Sequence, residues 1–155
     1  MEALKLNTGI REFKINDRGV LRFNPSDPSV YSRFMDVKEK IQALEEKMVE
    51  DTKKLNSESS DNHGALVLKI LTDTDQEIKR ILSDVFGREN DFDQMLDGVN
   101  LLAVGTNGER VVTNLLNAIT PILQEGIEAF IKQSTDNAVQ QAQQNRAARR
   151  ATPKA

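Results

Sequence analysis

The chain has 155 residues, 38% of them hydrophobic and 29% charged, which suits one soluble domain with a modest core and excludes a wholly disordered polymer. With no cysteine and one histidine it has no disulfide framework and no thiolate metal site, and the compartment expected is a reducing, intracellular one. The net charge of -3 conceals a split: beyond Asn137 the charged residues are Arg146, Arg149, Arg150 and Lys154, so the rest is distinctly acidic and poorly suited to nucleic acid.

Residues 1–9 are expected to be a flexible N-terminus, and "MEALKLNTGIREF" lacks the basic-then-apolar layout of a signal peptide. No run approaches the roughly 18 apolar residues of a membrane span, so no membrane partner is expected. Phe13 and Ile15, then Leu21 and Phe23, alternate with polar neighbours on either side of "NDRG", a hairpin signal. A lone hairpin is marginal in water, so this one must pack on a helix or pair with another chain.

In "FNPSDPSVYSRF" the Asn24-Pro25 pair favours a turn, Asp27 is placed to cap a helix, and Pro28 suits its first position. The stretch reads as a joint that aims a helix. From there Phe34, Val37, Ile41, Leu44, Met48 and Leu55 follow spacings of three and four, with only Asp51 breaking the apolar series, a heptad-like seam running to about residue 55. Asp36 with Lys40 and Glu50 with Lys54 sit at the favourable i, i+4 offset on its flanks.

"NSESSDNHG", residues 56–64, is the best internal linker. A second helix is expected over 65–86 with Leu68, Leu71, Ile78, Leu82 and Val85 on one face, ended by Gly87. Asp91 and Gln94 suit the start of a short helix around Phe92, Met95 and Leu96, stopped by Gly98. The run from Val99 to Val104 reads either as a strand or as buried irregular chain. Thr106 and Glu109 form a capping-box pattern opening a helix that carries Val112, Leu115, Leu116, Ile119, Ile122, Leu123, Ile127 and Phe130, with Pro121 expected to bend or break it. After about residue 134 large apolar residues run out, and the segment 135–155 is expected to be a polar, basic tail of frayed helix passing into disorder. The fold class expected is mainly α, a small helical bundle over 10–134 with a short N-terminal β-hairpin.

Chemistry finds little support. Counted as a calcium loop from Asp91, position five falls on Met95, six on Leu96 and twelve on Leu102, so the ligand pattern fails. His63 has no second histidine or cysteine to join it, and reads as an exposed loop residue. "AVGTNGER" lacks the arrangement of a phosphate loop, and the carboxylates are scattered. No enzyme, metal or cofactor is expected. The helices remain: the stripe Phe34, Val37, Ile41, Leu44 and Met48, with Leu115, Ile119 and Ile122 as a second face, serves either as bundle core or as the contact to sister subunits or a client helix.

The order of pieces, "FKINDRGVLRFNPSDPSVYSRF", then "ILSDVFGRENDFDQMLDGVNLL", then "VVTNLLNAITPILQEGIEAFI", resembles the small tail assembly chaperones of long-tailed bacteriophages, especially those of Gram-positive hosts. The likeness covers roughly residues 10 to 133 and is carried by "FNPSD" ahead of an aromatic-bearing helix start, and by "FG" with "DG" about a dozen residues on. It implies a homo-oligomeric, non-catalytic protein of the host cell cytoplasm that binds the tape-measure protein. That long, helical, aggregation-prone client is kept soluble until tail-tube protein assembles around it, and the chaperone is not retained in the virion. It also implies a second, longer form made by ribosomal frameshifting. Two alternatives stand beside it: a structural head-tail connector or tail-completion protein, and a regulatory coiled-coil adaptor whose basic tail touches DNA.

Overall fold

The computed structural model describes residues 1–57 and 62–151, so the centre of the expected 56–64 linker and the last four residues of the expected tail lie outside the described residues. Strands β1 (Arg11–Ile15) and β2 (Gly19–Phe23) form the expected antiparallel hairpin, with Phe13 opposite Leu21 and Glu12 opposite Arg22. Its turn places Asn16 at a positive φ of 51°, which asparagine tolerates better than most side chains. Leu21 and Phe23 are buried and Phe13 and Ile15 half-buried on one face, while Glu12, Lys14, Val20 and Arg22 face water.

The joint works as the sequence implies. The Asn24 side-chain oxygen accepts from the Ser26 amide at 2.8 Å and the Asp27 carboxylate accepts from the Ser29 amide at 2.9 Å, so α1 (Pro28–Ser57) starts at the proline. Helix α2 (His63–Phe86) returns against it as an antiparallel pair, and Gly87, at φ 116°, ends it with its amide bonded to the Ser83 carbonyl. His63, expected in a loop, is the first residue of α2. Leu68, expected on the buried face, is 66% exposed.

Five of the six phenylalanines make one column. Phe86, at the end of α2, lies 4.9 Å from Phe23 edge-on, and 6.0 Å from both Phe34 and Phe92, so the hairpin, α1 and α3 (Phe92–Met95) meet on it. Asp91 caps α3 by accepting from the amides of Asp93 and Gln94.

The run from Val99 to Val104 is irregular and only its centre is buried: Leu101 and Leu102 are enclosed, while Val99, Ala103 and Val104 are exposed. Thr106 and Glu109 do not open the last helix. They lie in a turn closed by the Gly105 amide on the Glu109 carbonyl and a bridge between Val104 and Arg110, and α4 begins at Val111. α4 (Val111–Ala151) is one helix of 41 residues running through Pro121. Pro121 is exposed, and so is Asn117, whose carbonyl loses its amide partner on the water side of the helix. The segment expected to fray beyond residue 134 is helical as far as Ala151. Gln, Ala and Arg are strong helix formers, and no Gly or Pro interrupts them before Pro153.

Two close fits hold α4 on the body. Gly126 is buried where the joint crosses the helix, and a β-carbon there would sit 1.9 Å from the Pro25 carbonyl oxygen, so only glycine allows the approach. Arg110, just before α4, reaches Glu45 of α1 at 2.8 Å.

Candidate partner-binding surface

The α1 stripe, read from sequence as either bundle core or partner contact, is packed inside the chain. Phe34, Val37, Ile41 and Met48 are buried and Leu44 is half-buried. In this fold they are core and not surface, because α2 supplies the matching stripe of Ile78, Leu82 and Val85 from the same chain. Neither expected flank pair, Asp36 with Lys40 or Glu50 with Lys54, is among the ion pairs of the described residues. The second expected face divides: Leu115 and Ile119 are buried, and Ile122 is half-buried on the floor of a groove.

That groove, of about 350 Å³, runs between β1 and the first half of α4. Phe13 and Ile15 overhang it from the strand, and Val111, Leu115, Ala118 and Ile122 form its floor. It is mostly apolar and open to water along one side. A second concave region continues from Phe13 and Ile122 past Pro25 to Gly126 and Ala129.

The two edges of the hairpin differ. Asn90, only 2% exposed, acts as a substitute strand for β2: its side-chain oxygen accepts from the Arg22 amide at 2.9 Å, and its amide nitrogen donates to the Arg22 carbonyl at 2.9 Å and to the Phe86 carbonyl at 3.0 Å. Since the main chain of Arg22 faces Asn90, its partner Glu12 occupies a non-hydrogen-bonded position of the ladder, and so does Lys14 two residues on. The main-chain groups of Glu12 and Lys14 therefore point away from β2, and no hydrogen bond among the described residues reaches them. The β2 edge is closed and the β1 edge is open, directly above the groove.

The other prominent surface is the distal part of α4. Every residue from Glu128 to Ala151 is exposed, a rod of about 35 Å at 1.5 Å per residue. It presents Phe130, Ile131 and Val139 near its base, 38%, 57% and 50% exposed, and Arg146, Arg149 and Arg150 near its tip.

A buried polar network also escaped the sequence reading. Lys79, 4% exposed, donates to Asp93 at 2.7 Å and to the Val99 carbonyl at 3.0 Å and forms an ion pair with Asp75 at 2.9 Å, while Asp75 accepts from the Leu101 amide at 2.7 Å. It ties the irregular 91–101 segment to α2. Lys79's hydrogen bond, and then its charge, hold the Asp93 carboxyl below the usual carboxylate range. The signal was available: Asp75 and Lys79 lie one turn apart on the same face as Ile78 and Leu82, where a solvated charge has no place. In the stretch counted as a calcium loop, Asp91 is thus a helix cap and Asp93 the partner of Lys79.

Among the described residues no three His, Cys, Asp or Glu side chains cluster to hold a metal, and no helix is long and apolar enough to cross a membrane. Compared with known proteins, the chain matches no family model, no curated protein and no solved structure.

Proposed function

We propose that the chain is a phage tail assembly chaperone, a non-enzymatic protein of the infected cell that binds the tape-measure protein and keeps it soluble until tail-tube subunits enclose it. The reading rests on the resemblance in element order, and the observation that carries it furthest is the exposed rod of α4 from Glu128 to Ala151. A client helix lying along Ile131 and Val139, which project roughly 80° apart on the rod, would cover its own apolar stripe against them. The contact surface thereby moves from the seam of α1, which the core uses, to the base of the rod.

Co-expression with the long coiled-coil protein encoded nearest downstream tests the reading. The expected result is a soluble, co-eluting client whose retention is lost in the Ile131→Asp, Val139→Asp double variant, with the helical content of the chain unchanged. An insoluble client, or co-elution indifferent to both substitutions, would overturn it. Presence of the chain in purified particles at fixed stoichiometry would instead make it a connector or tail-completion protein.

A further inference from the structure

The hairpin is a sheet of two strands with one edge closed and one edge open, and the open edge lies over an apolar groove. What such a site takes is a third strand, whose main chain pairs with Glu12 and Lys14 and whose alternate side chains enter the groove. The chain itself carries a segment of that pattern. Residues 1–9 run outside any helix or strand, and Leu4 and Leu6, two residues apart, are 90% and 81% exposed.

We infer that the open β1 edge and its groove bind the arm formed by residues 1–8 of a second copy of this chain. Three observations select that occupant. The first is reach: eight extended residues span about 26 Å, more than the five-residue edge requires. The second is alternation: with Leu4 and Leu6 facing the groove, Lys5 lies on the outer face, among the water-facing side chains of Glu12, Lys14 and Arg22. The third is the anchor of the arm. The Asn24 side-chain nitrogen donates to the Thr8 carbonyl at 2.9 Å, and the Gly9 amide donates to Asn7 at 3.0 Å, which holds the arm's base against the residue that follows β2 and leaves its own β1 edge bare. Closing that edge from within the chain would break the Asn24 bond. The contact is heterologous, arm to groove, so each copy offers one of each.

The absence of cysteine makes the test direct. Full-length Leu4→Cys, Lys5→Cys and Leu6→Cys variants are each mixed with an isotope-labelled Ala118→Cys variant, and disulfides are identified by peptide mass spectrometry under mild oxidation. Ala118 is exposed on the groove floor, so these substitutions leave the core untouched. The expected result is a disulfide between differently labelled copies for Leu4→Cys or Leu6→Cys, at least about tenfold faster than for Lys5→Cys, whose side chain faces away. Equal rates at the three positions, or rates no higher than with a Val139→Cys control in place of Ala118→Cys, would overturn the inference. So would a Leu4→Cys, Ala118→Cys double variant that closes within one chain and leaves the protein monomeric. No client enters this measurement, so its failure is distinct from failure of the chaperone reading.

Discussion

Replacing Lys79 by methionine keeps most of the side-chain volume and removes only the ammonium. In the native protein that group donates to Asp93 and to the Val99 carbonyl and forms a buried ion pair with Asp75. Its loss leaves the Asp75 carboxylate, 3% exposed, with the Leu101 amide as its remaining strong partner. Breaking one side of a buried ion pair costs about 3–5 kcal/mol, a fifth or more of the roughly 5–15 kcal/mol that holds a domain together. At about 2–4 °C per kcal/mol for a chain of this size, the melting temperature should fall by about 6–20 °C. Urea unfolding followed by far-UV circular dichroism, with equal slopes for both proteins, measures the change. A loss below about 1 kcal/mol would refute the view that this lysine holds the 91–101 segment on α2. The Asp75→Leu, Lys79→Met double variant sharpens the test, because removing both charges cancels the uncompensated one and leaves mainly the Leu101 amide without its acceptor, at about 1–3 kcal/mol. The double variant should therefore lie between the native protein and Lys79→Met; if it is the least stable, the amide bond and not the charge pair is what matters.

Three further outcomes follow from the same geometry. Asp93 has its folded-state pKa lowered by Lys79, so its contribution is present above the ordinary carboxylate value of about 3.9 and is lost as pH falls through the folded value; the stability gap between native protein and Asp93→Asn, measured by urea midpoints, should narrow as pH falls below about 4, and a constant gap would contradict this. Ile41→Asp places a carboxylate where 1% of the surface is exposed and should cost more than about 3 kcal/mol, whereas Leu44→Asp, half-buried, should cost less; an Ile41→Asp protein no less stable in thermal melts than Leu44→Asp would mean that the seam is not core. Gly126→Ala gains about 1 kcal/mol of helix propensity but meets the Pro25 carbonyl oxygen at 1.9 Å, a backbone atom that cannot swing away, so it should lower the melting temperature, and a rise would show that the joint does not bear on α4.

What was legible in the sequence was local. The hairpin followed from alternation around "NDRG", the start of α1 from Asp27 and Pro28, the end of α2 from Gly87, and the cap of α3 from Asp91, because each depends on neighbours within a few residues. The seam of α1 was also legible, but its partner was not: a stripe at spacings of three and four looks the same whether it meets α2 of the same chain or a helix of another. Asn90 mimics a strand for a residue 68 positions away, and nothing beside it in sequence announces that. Gly126 carries no local signal of its role, since its missing side chain is what lets the joint cross, and the joint lies about 100 residues away in the chain. The extent of α4 was underestimated because burial was used as the criterion for helix, and helix propensity alone suffices to place the remaining residues on the same axis.

The groove and the rod belong to the same helix, and that links assembly to client capture. The first half of α4 forms the groove floor, and the distal part is the proposed client surface. Each arm seated in a groove would fix one more α4 rod in relation to the next. A long helical client offers its stripe many times over, so it would meet several rods at a high effective concentration although each contact, with three exposed apolar side chains near the base, is weak. Leu4→Asp with Leu6→Asp leaves every residue of α4 in place, yet on this argument it should reduce client retention by about 100-fold or more, the lower end of the gain that multivalency supplies. Retention is read by co-elution at matched chain concentration, and the oligomeric mass by light scattering on the same column. If the variant becomes monomeric and still holds the client as well as the native protein, each rod captures the client by itself and the coupling is refuted.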